Sequence, residues 1–285
     1  MTGKPREGQA NEMTMQARTF GPYQVQHLVD GNIEMDGTVL IHLRGDEART
    51  AMLTRLNRPK IAFPIHCFLL TGPDGPTLID AGTGTLWGDT YGHARTALAD
   101  AGISPADIQH ILLTHVHADH AAGLLDGDTP YFPNAEILVP SADLAHFGDA
   151  AIREATPVAR RSAFGITERM LSAYDGRIRE INAGQVTSGI KAEALPGHTP
   201  GHMGYRLSDP SGDLLLWGDT IHVHDLQPAD PDIGLVFDVD PQLAGQSRRN
   251  ALERAADHGW LVAGAHVPGF ARIARDGETF RYIPT

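Results

Sequence analysis

The sequence contains a single cysteine, Cys67, in a chain of 285 residues. No intramolecular disulfide is therefore possible, and no metal site built from several cysteines can form. Because Cys67 lies in the mostly apolar run 65–70, we interpret it as a buried, unreactive thiol rather than as a nucleophile.

The sequence also lacks long apolar runs. A membrane-spanning helix requires about 18 consecutive apolar residues, and no such run occurs. Residues 1–20 are polar and have no apolar segment typical of a secretory signal. They show neither helical nor strand periodicity, so we expect them to form a flexible arm. Together with the single cysteine, these features favour a cytoplasmic protein without membrane contacts.

Basic residues are scarce as well. Lysine plus arginine number 23 against 35 aspartate plus glutamate, which gives a formal net charge of −12. No dense basic run reverses this balance, so the surface should repel the phosphate backbone of nucleic acids. A nucleic-acid partner is therefore disfavoured, and bound cations would offset part of the acidity.

The remaining composition is that of an ordinary globular protein, with 41% hydrophobic and 20% charged residues. Strand-like runs alternate with helical patterns in two successive halves, without a linker between them. This order predicts an α/β fold, a four-layer αβ/βα sandwich of two mixed β-sheets with helices outside, formed by a single domain over residues 21–285. Within it we expect a hairpin over residues 23–35 and mostly helical structure over residues 154–174.

The most informative stretch follows a buried-strand pattern at residues 111–113. Four potential metal ligands occur there within six residues: His115, His117, Asp119 and His120. Imidazoles and carboxylates are ligands that borderline divalent ions such as zinc prefer. In an extended segment His115 and His117 can point at one ion, while Asp119 and His120 point towards a neighbouring site. The alternative is a histidine-rich loop with solvated rings, which we disfavour because matching partners recur downstream.

Further candidate ligands lie at strand ends in the order expected for a known family. From about residue 22 onward the chain resembles the metallo-β-lactamase superfamily, and within it the methyl parathion hydrolase branch, with quorum-quenching lactonases as more distant relatives. The resemblance rests on Asp80, the His-x-His-x-Asp-His motif of residues 115–120, His198 in Gly-His-Thr-Pro-Gly-His, Asp219 in Gly-Asp-Thr, His266 after a C-terminal strand, and residues 131–135 and 252–270.

The resemblance implies a centre for two divalent metal ions. The ligands would form two groups of three with one shared residue: His115, His117 and His198 for one ion, Asp119, His120 and His266 for the other, and Asp219 bridging both. Each ion thus receives three terminal ligands and a shared carboxylate, which leaves room for a bridging water. Two such ions, about 3.5 Å apart, would turn that water into a bridging hydroxide. Zinc is the expected metal, and manganese, iron and cobalt also suit these ligands.

Three further roles are expected at this centre: orienting a ligand, supporting the structure and transferring a proton. Asp80 would hydrogen-bond a ligand imidazole and set its tautomer; the alternative is an ordinary carboxylate at a strand-end turn. His202 is interpreted as a buried, hydrogen-bonded structural ring rather than a seventh ligand, because His198 already fills that role. Asp119 would have a catalytic role besides binding metal, by accepting the proton released as the intermediate collapses.

The chain departs from its relatives three residues after Asp219. Lactonases of the superfamily often carry a tyrosine there that assists the substrate carbonyl, and this chain has His222. One hypothesis makes His222 a catalytic proton donor or oxyanion partner near the metals. The other makes it a partly exposed loop histidine, in a chain with 15 histidines.

The resemblance also aligns Trp87, Phe147 and Phe164 with positions where aromatic residues line a leaving-group pocket. Aromatic walls suit an aryl ester, an aryl lactone or a phosphotriester, and they are a poor environment for a highly charged substrate. The alternative for each of the three residues is packing in the core.

The leading hypothesis is therefore a binuclear metal-dependent hydrolase whose bridging hydroxide cleaves small esters, aryl esters or lactones. An organophosphate triester hydrolase of the methyl parathion hydrolase type is the first alternative. A di-iron redox protein on the same fold is a second, disfavoured because such a protein would have more carboxylate ligands and an electron-carrying domain. The expected partners are a small-molecule substrate and a second copy of the chain in a homodimer.

Overall fold

The computed structural model describes residues 17–285, in which strands and helices alternate. The strands are β1 (Arg18–Phe20), β2 (Tyr23–Asp36), β3 (Leu40–His42), β4 (Lys60–Thr71), β5 (Thr77–Ile79), β6 (His110–Leu112), β7 (Leu125–Asp126), β8 (Thr129–Pro130), β9 (Glu136–Pro140), β10 (Ile178–Ile181), β11 (Gly184–Thr187), β12 (Ile190–Ala194), β13 (Met203–Leu207), β14 (Leu214–Leu216), β15 (Ile233–Leu235), β16 (Leu261–Ala263), β17 (Ala271–Asp276) and β18 (Thr279–Pro284). The α-helices are α1 (Asp46–Leu56), α2 (Ala94–Asp100), α3 (Ala118–Ala121), α4 (Ser141–Phe147), α5 (Ala150–Ala155), α6 (Ser162–Ala173) and α7 (Pro241–His258). Short 3₁₀ helices cover Gly37–Val39, Pro105–Asp107, Ala122–Leu124, Val158–Arg160 and Gly218–Thr220.

Most of the strands form two mixed sheets of seven. The first sheet has the order β1-β2-β4-β5-β6-β9-β10, and the second has the order β11-β12-β13-β14-β16-β17-β18. Neighbours from β5 to β10 in the first sheet are parallel, as are β14 and β16 in the second; the other neighbours are antiparallel. The parallel strands matter for function because their carboxyl ends can present side chains to one shared cleft.

Alternating side chains along the strands separate four layers. Leu112 of β6 and Leu214 of β14 pack in the core between the two sheets. Their neighbours point the other way, so that Ile111 packs beneath α2 and α6, and Leu215 packs against Leu252 of α7. Each sheet is therefore covered on both faces, because successive strand residues face opposite sides. The predicted four-layer αβ/βα sandwich is confirmed.

The hairpin predicted over residues 23–35 is wrong. Tyr23–Asp36 forms one strand that pairs with β4 along its length, with a shift of register where the turn was expected. Asp30 is buried at this point, and its carboxylate accepts hydrogen bonds from the backbone N–H groups of Thr83 and Ala94. Asp30, which indicated a turn, instead connects the loop after β5 to β2 through these hydrogen bonds.

The helical prediction for residues 154–174 is only partly right. Ser162–Ala173 is helical, but the chain is extended at Thr156, where ψ is 135°. Pro157 follows Thr156, and a residue that precedes proline is excluded from the helical region by contact with the proline ring. The resulting break separates α5 from α6.

The flexible arm predicted for residues 1–20 falls mainly on residues outside the described range. Its last residues, Arg18–Phe20, form β1, which pairs with β2, and Phe20 packs in the core between the sheets. These three residues are thus part of the first sheet rather than of an arm. Of the helices formed within residues 17–285, none has the length and apolar character needed to cross a bilayer.

Candidate metal centre

The side chains predicted as metal ligands converge where strands of both sheets end. His115, His117, Asp119 and His120 follow β6, His198 lies between β12 and β13, Asp219 follows β14, and His266 follows β16. The backbone N–H of Met203 donates to the carbonyl of Thr114, which joins the loops of the two sheets. The fold therefore brings all seven predicted ligands to one place.

The first predicted group, His115, His117 and His198, directs three imidazole nitrogens at one point. Nδ1 of His117 lies 3.0 Å from Nε2 of His115 and 3.0 Å from Nε2 of His198. Nδ1 of His115 donates to Oγ1 of Thr114 at 3.0 Å, and Nδ1 of His198 donates to Oδ1 of Asp238 at 2.8 Å. With Nδ1 of each ring hydrogen-bonded away from the cluster, both rings turn Nε2 inward, where a shared cation can take the place of a proton.

In the second predicted group, Asp119, His120 and His266, the two imidazoles are also hydrogen-bonded through Nδ1 and turn Nε2 towards the cluster. Oδ2 of Asp119 lies 3.3 Å from Nε2 of His266 and 3.8 Å from Nε2 of His120. Nδ1 of His120 donates to Oδ2 of Asp80, and Nδ1 of His266 donates to the carbonyl of Pro64, both at 2.8 Å. Nε2 of His120 is buried without a hydrogen-bond partner among the described residues.

Asp219 lies between the two groups. Its Oδ2 is 3.2 Å from Nε2 of His198 and 3.2 Å from Nε2 of His266, and its Oδ1 is 3.1 Å from Nε2 of His120. Within residues 17–285, Oδ1 has no hydrogen-bond donor although it is buried. A buried polar atom without a partner costs free energy, and cations between these nitrogens and oxygens would remove that cost. The residues therefore fit a pair of divalent ions of the zinc type.

His202 supports Asp219 instead of joining the ligands. Its Nδ1 donates to the carbonyl of Leu195 at 2.8 Å, and its Nε2 accepts from the backbone N–H of Asp219 at 2.9 Å. Both ring nitrogens are occupied, so neither has a lone pair for a metal. Gly218 has a φ of 53°, and a Cβ there would lie 2.6 Å from Nε2 of His202, so this close approach requires glycine.

Asp80 occupies the position expected of a residue that orients a ligand. It has a positive φ of 61°, unusual for a residue other than glycine. Its Oδ1 accepts from the backbone N–H of Thr114 at 2.7 Å, and its Oδ2 accepts from the Thr114 hydroxyl at 2.8 Å and from His120. Asp80 thus contacts the histidine loop at three points.

Burial and neighbouring charges shift the pKa values of the cluster in opposite directions. Burial lowers the pKa of His117 to about 3. Burial also acts on His198 and His266, but contacts with Asp219 outweigh it and raise their pKa values to about 9 and about 10. Burial alone would raise the pKa of Asp219, whereas the surrounding imidazoles, His120 foremost, hold it well below its usual range. Asp219 is therefore ionised, the form that binds cations.

His222 adjoins the cluster but differs from the other histidines. Its Nε2 lies 3.0 Å from Oδ2 of Asp219, and its ring stacks on His266 with centroids 4.9 Å apart. Nδ1 has no acceptor in the part of the chain that the structure describes, so the proton resides on Nε2 and is donated to Asp219. Burial lowers the pKa of His222 to about 4. His222 is therefore a neutral donor, and the alternative of a partly exposed histidine is wrong, since it is 5% exposed.

A cleft of about 560 Å³ opens onto the cluster. Its wall includes Trp87, Phe147 and Phe164, the three aromatic residues predicted for the substrate pocket. Phe147 and Phe164 pack edge to face with ring centroids 5.3 Å apart, and Phe147 lies 6.1 Å from the ring of His117. All three also pack with the core beneath the helices, so both alternatives hold for them: they face the cleft and they pack in the core.

The cleft also contains several apolar residues that were not predicted from the sequence. Phe63 on β4 lies with its ring centroid 6.2 Å from those of His222 and His266. Phe237 and Val239 line the same cleft and keep 38% and 47% of their surface exposed. The sequence did not identify Phe63 as a cleft residue, because the alternating pattern of its strand is also that of a residue buried in the core.

Three buried charged residues beside the cluster were not predicted from the sequence. Asp238 contacts His198, Asp143 contacts the loops that carry His115 and His198, and Arg248 of α7 contacts the residue after Asp219. None belongs to a local motif, and helix or turn positions explain an aspartate or arginine equally well. Only their burial, with each at most 5% exposed, distinguishes them.

Comparison with known proteins supports the family that the predicted ligands indicated. The sequence model described as Metallo-beta-lactamase superfamily matches residues 61–266. The uncharacterized protein YobT of Bacillus subtilis (strain 168) is 30% identical over 162 residues, 56% of this chain and 64% of YobT. An N-acyl homoserine lactonase of Bacillus cereus is 26% identical over 172 residues, 54% of this chain and 62% of that protein. The chain thus spans less than two thirds of these curated relatives.

Two solved structures are similar to nearly the whole chain. One is the hydrolase AbOPH of the beta lactamase superfamily, at 24% identity, and the other is AidC, a dizinc quorum-quenching lactonase in complex with a product, at 25% identity. Each has a TM-score of 0.85 and covers 95% of this chain and 97% of its own.

Proposed function

Because this chain belongs to the metallo-beta-lactamase superfamily, as the sequence predicted, we propose that it is a hydrolase that uses two divalent metal ions to cleave lactones or aryl esters. The observation that carries the proposal is the position of Asp219, whose carboxylate lies within 3.2 Å of imidazole nitrogens from both predicted ligand groups. The similarity to an N-acyl homoserine lactonase and to the lactonase AidC supports a lactone substrate.

In this proposal each metal is held by one of the two groups. His115, His117 and His198 would hold one ion, Asp119, His120 and His266 the other, and Asp219 both. When bound, such a pair of ions acts as a Lewis acid and lowers the pKa of a water molecule towards neutrality. Zinc is the expected metal, with manganese, iron or cobalt compatible with the same nitrogen and oxygen atoms.

Asp119 is proposed to take up the proton that the reaction releases. Its side chain lines the cleft and is 17% exposed, more than the 3% of Asp219. Its Oδ2 faces His120 and His266, whereas Oδ1 has no hydrogen-bond partner among the described residues. Oδ1 is therefore the oxygen proposed to take this proton transiently, beside the substrate, and to pass it to the departing alkoxide or phenoxide oxygen.

His222 is proposed to stabilise the negative charge that develops on the substrate oxygen. It lines the cleft, and burial lowers its pKa to about 4, so the ring is neutral and its one proton lies on Nε2, facing Oδ2 of Asp219. If Asp219 were engaged by metal, this N–H would be available to a substrate oxygen instead. A buried imidazole N–H next to the reacting centre is a suitable donor to the carbonyl oxygen of an ester or lactone. This role would replace the tyrosine that lactonases of the superfamily often carry at this position.

The cleft supports a small, weakly charged substrate. Trp87, Phe147, Phe164 and Phe63 form an aromatic wall close to the cluster, and such a wall binds aryl or acyl groups rather than polyanions. The same wall also suits the aryl leaving group of a phosphotriester, so organophosphate triester hydrolysis is the second candidate. We rank it below ester cleavage because two of the similar proteins are lactonases.

The proposal is tested with purified protein that is stripped of metal and refilled with zinc, manganese, cobalt or iron. Turnover is measured on N-acyl homoserine lactones, aryl lactones, aryl esters and a paraoxon-type triester, and bound metal is counted in each sample. We expect two ions per chain and hydrolysis of at least one lactone or aryl ester. Uptake of at most one ion per chain, or an iron form that consumes oxygen while no metal form hydrolyses an ester, would overturn the proposal. Light scattering on the same sample checks the proposed homodimer.

A further inference from the structure

The two predicted ligand groups share one feature: a histidine of each group donates its Nδ1 proton to a buried carboxylate. In the first group His198 donates to Asp238, and in the second His120 donates to Asp80, each at 2.8 Å. The carboxylates are only 5% and 3% exposed. The family motifs include Asp80, whereas Asp238 comes from outside the motifs that identified the site.

The segment that carries Asp238, after β15, is hydrogen-bonded to the loop that carries His198. The backbone N–H of Val239 donates to the carbonyl of His198 at 3.1 Å, and that of Asp240 donates to the carbonyl of Gly197 at 2.9 Å. Oδ2 of Asp238 accepts from the backbone N–H of Leu235 at 3.0 Å, while Oδ1 faces His198. Both carboxylate oxygens of Asp238 therefore have fixed partners. Two main-chain hydrogen bonds also hold the segment of Asp238 against the loop of His198.

Arg248 forms a long ion pair with the other oxygen of the same carboxylate. Its guanidinium is 1% exposed, and Nη2 lies 3.9 Å from Oδ2 of Asp238. Nε donates to the carbonyl of Thr220 at 2.9 Å, and Nη1 donates to the carbonyl of Pro231 at 2.8 Å. Because Thr220 follows Asp219, Arg248 connects the partner of His198 to the loop of the shared carboxylate.

We propose that Asp238 is the positioning residue of the first metal position, where it sets the tautomer and direction of His198, and that Arg248 holds it in place. A carboxylate on Nδ1 makes the imidazole a more basic ligand and restricts its rotation. Asp80 contacts His120 of the other position directly and reaches the first position only through Thr114, the partner of His115. The two carboxylates should therefore control the two metal positions unequally, each favouring its own. This inference rests on the proposed function of the site.

The test compares Asp238→Asn with Asp80→Asn in the full-length protein. Asparagine keeps the size of the side chain and removes its charge. Each protein is stripped of metal and equilibrated with zinc at a limiting, buffered free concentration. Anomalous diffraction at the zinc edge then gives the occupancy of each position, and chelator competition gives the affinities. For Asp238→Asn we expect about 10–100-fold weaker binding at the position of His115, His117 and His198, with the other position largely retained.

Asp80→Asn is the matched control. It should weaken the position of Asp119, His120 and His266 more than the other, because Asp80 contacts His120 directly and His115 only through Thr114. The ratio of the two occupancies should therefore shift in the opposite direction. Equal losses at both positions in Asp238→Asn would reduce Asp238 to a general structural role and overturn the inference, and so would unchanged occupancy. Failure of the proposed function is recognised separately, because the unsubstituted protein would then bind at most one zinc ion per chain.

A second measurement does not depend on the variants being folded. Imidazole ¹⁵N NMR of the zinc-loaded, unsubstituted protein reports the tautomer of His198. We expect a proton on Nδ1 that exchanges slowly with solvent, because it is donated to a buried carboxylate. A proton on Nε2 of His198 would overturn the inference even if Asp238→Asn failed to fold.

Discussion

Oδ2 of Asp143 accepts a hydrogen bond from the backbone N–H of Val116, 3.0 Å away, which links α4 to the residue between two predicted metal ligands. The same carboxylate accepts from the Thr199 hydroxyl at 2.9 Å and from the backbone N–H of Gly201 at 2.6 Å. A Cβ at Gly201 would lie 2.9 Å from Oδ1 of Asp143, so the approach depends on glycine. One buried side chain thus joins the loop of the first histidines to the loop of His198.

Asp143→Asn should separate these loops. The amide group that replaces one oxygen is a donor, and it would face groups that also donate. We expect the free energy of unfolding of the metal-free protein to fall by about 1–3 kcal/mol, and zinc affinity to fall with it, as measured by urea unfolding and chelator competition. Asp149→Asn is the matched control, because Asp149 caps α5 and asparagine is an equally good cap. Equal stability of the two variants would contradict the prediction.

His222→Phe should impair the reaction without emptying the metal positions. The variant keeps an aromatic ring stacked on His266 and beside Phe63, but it removes the N–H proposed to stabilise the substrate oxygen. Loss of one such donor reduces kcat by about 100-fold or more, so we expect that loss with two zinc ions still bound per chain.

The control for this variant is His224→Phe, since His224 packs on Tyr282 outside the cleft wall. Steady-state kinetics and metal counts on both variants show whether His222 acts on the substrate or binds metal. Full activity of His222→Phe would exclude the proposed role, and loss of a zinc ion would make His222 a ligand instead of a donor.

Trp87→Leu should change substrate preference more than turnover. Trp87 lines the cleft and packs edge to face on Tyr91 with ring centroids 5.5 Å apart. Leucine keeps apolar volume but removes the aromatic face, and an aromatic pair contributes about 0.5–1.5 kcal/mol beyond its buried area. We expect KM for aryl esters to rise by about 2–10-fold relative to alkyl esters of similar size. A uniform change for both substrate series would argue against an aryl subsite at Trp87.

His27 should make the fold sensitive to acid. It is buried with its ring 4.6 Å from those of Phe68 and Phe270, and Nε2 has no partner within residues 17–285. Burial, together with the charge of Arg18, lowers the pKa of His27 to about 4. The unfolded chain binds this proton below a pH of about 6.5 and the folded chain does not, so stability falls as pH drops from 6.5 towards 4, by about 1.4 kcal/mol per pH unit.

His27→Phe removes this titration and keeps an aromatic ring in the core. We expect the loss of unfolding free energy between pH 7 and pH 5 to be smaller than in the parent by about 2 kcal/mol, measured by urea unfolding at both pH values. His258→Phe, which removes an exposed histidine, is the matched control. The prediction fails if the control reduces the pH dependence as much as His27→Phe does.

Local spacing predicted the ligand cluster of residues 115–120, and the resemblance to the superfamily supplied the other predicted ligands. Ligands two residues apart in an extended segment, as at His115 and His117, point the same way whatever surrounds them. Strand ends could be located from apolar runs, and this placed Asp219 and His266 at the edges of rigid elements. The alternation of strands and helices likewise determined the four-layer sandwich, since each amphipathic element must bury its apolar side.

Only the tertiary structure decided which polar residues serve the site. Asp238 lies 40 residues from His198 in the chain, and Asp143 lies 27 residues from Val116, so no local pattern distinguishes them from surface carboxylates. The same holds for Asp30, which lies in a turn-like sequence but is buried and bonded to Thr83. It also holds for His222, whose proposed role depends on burial and on an Nδ1 without an acceptor among the described residues. Burial and hydrogen-bond partners are properties of the packed chain, and they arise only when distant segments meet.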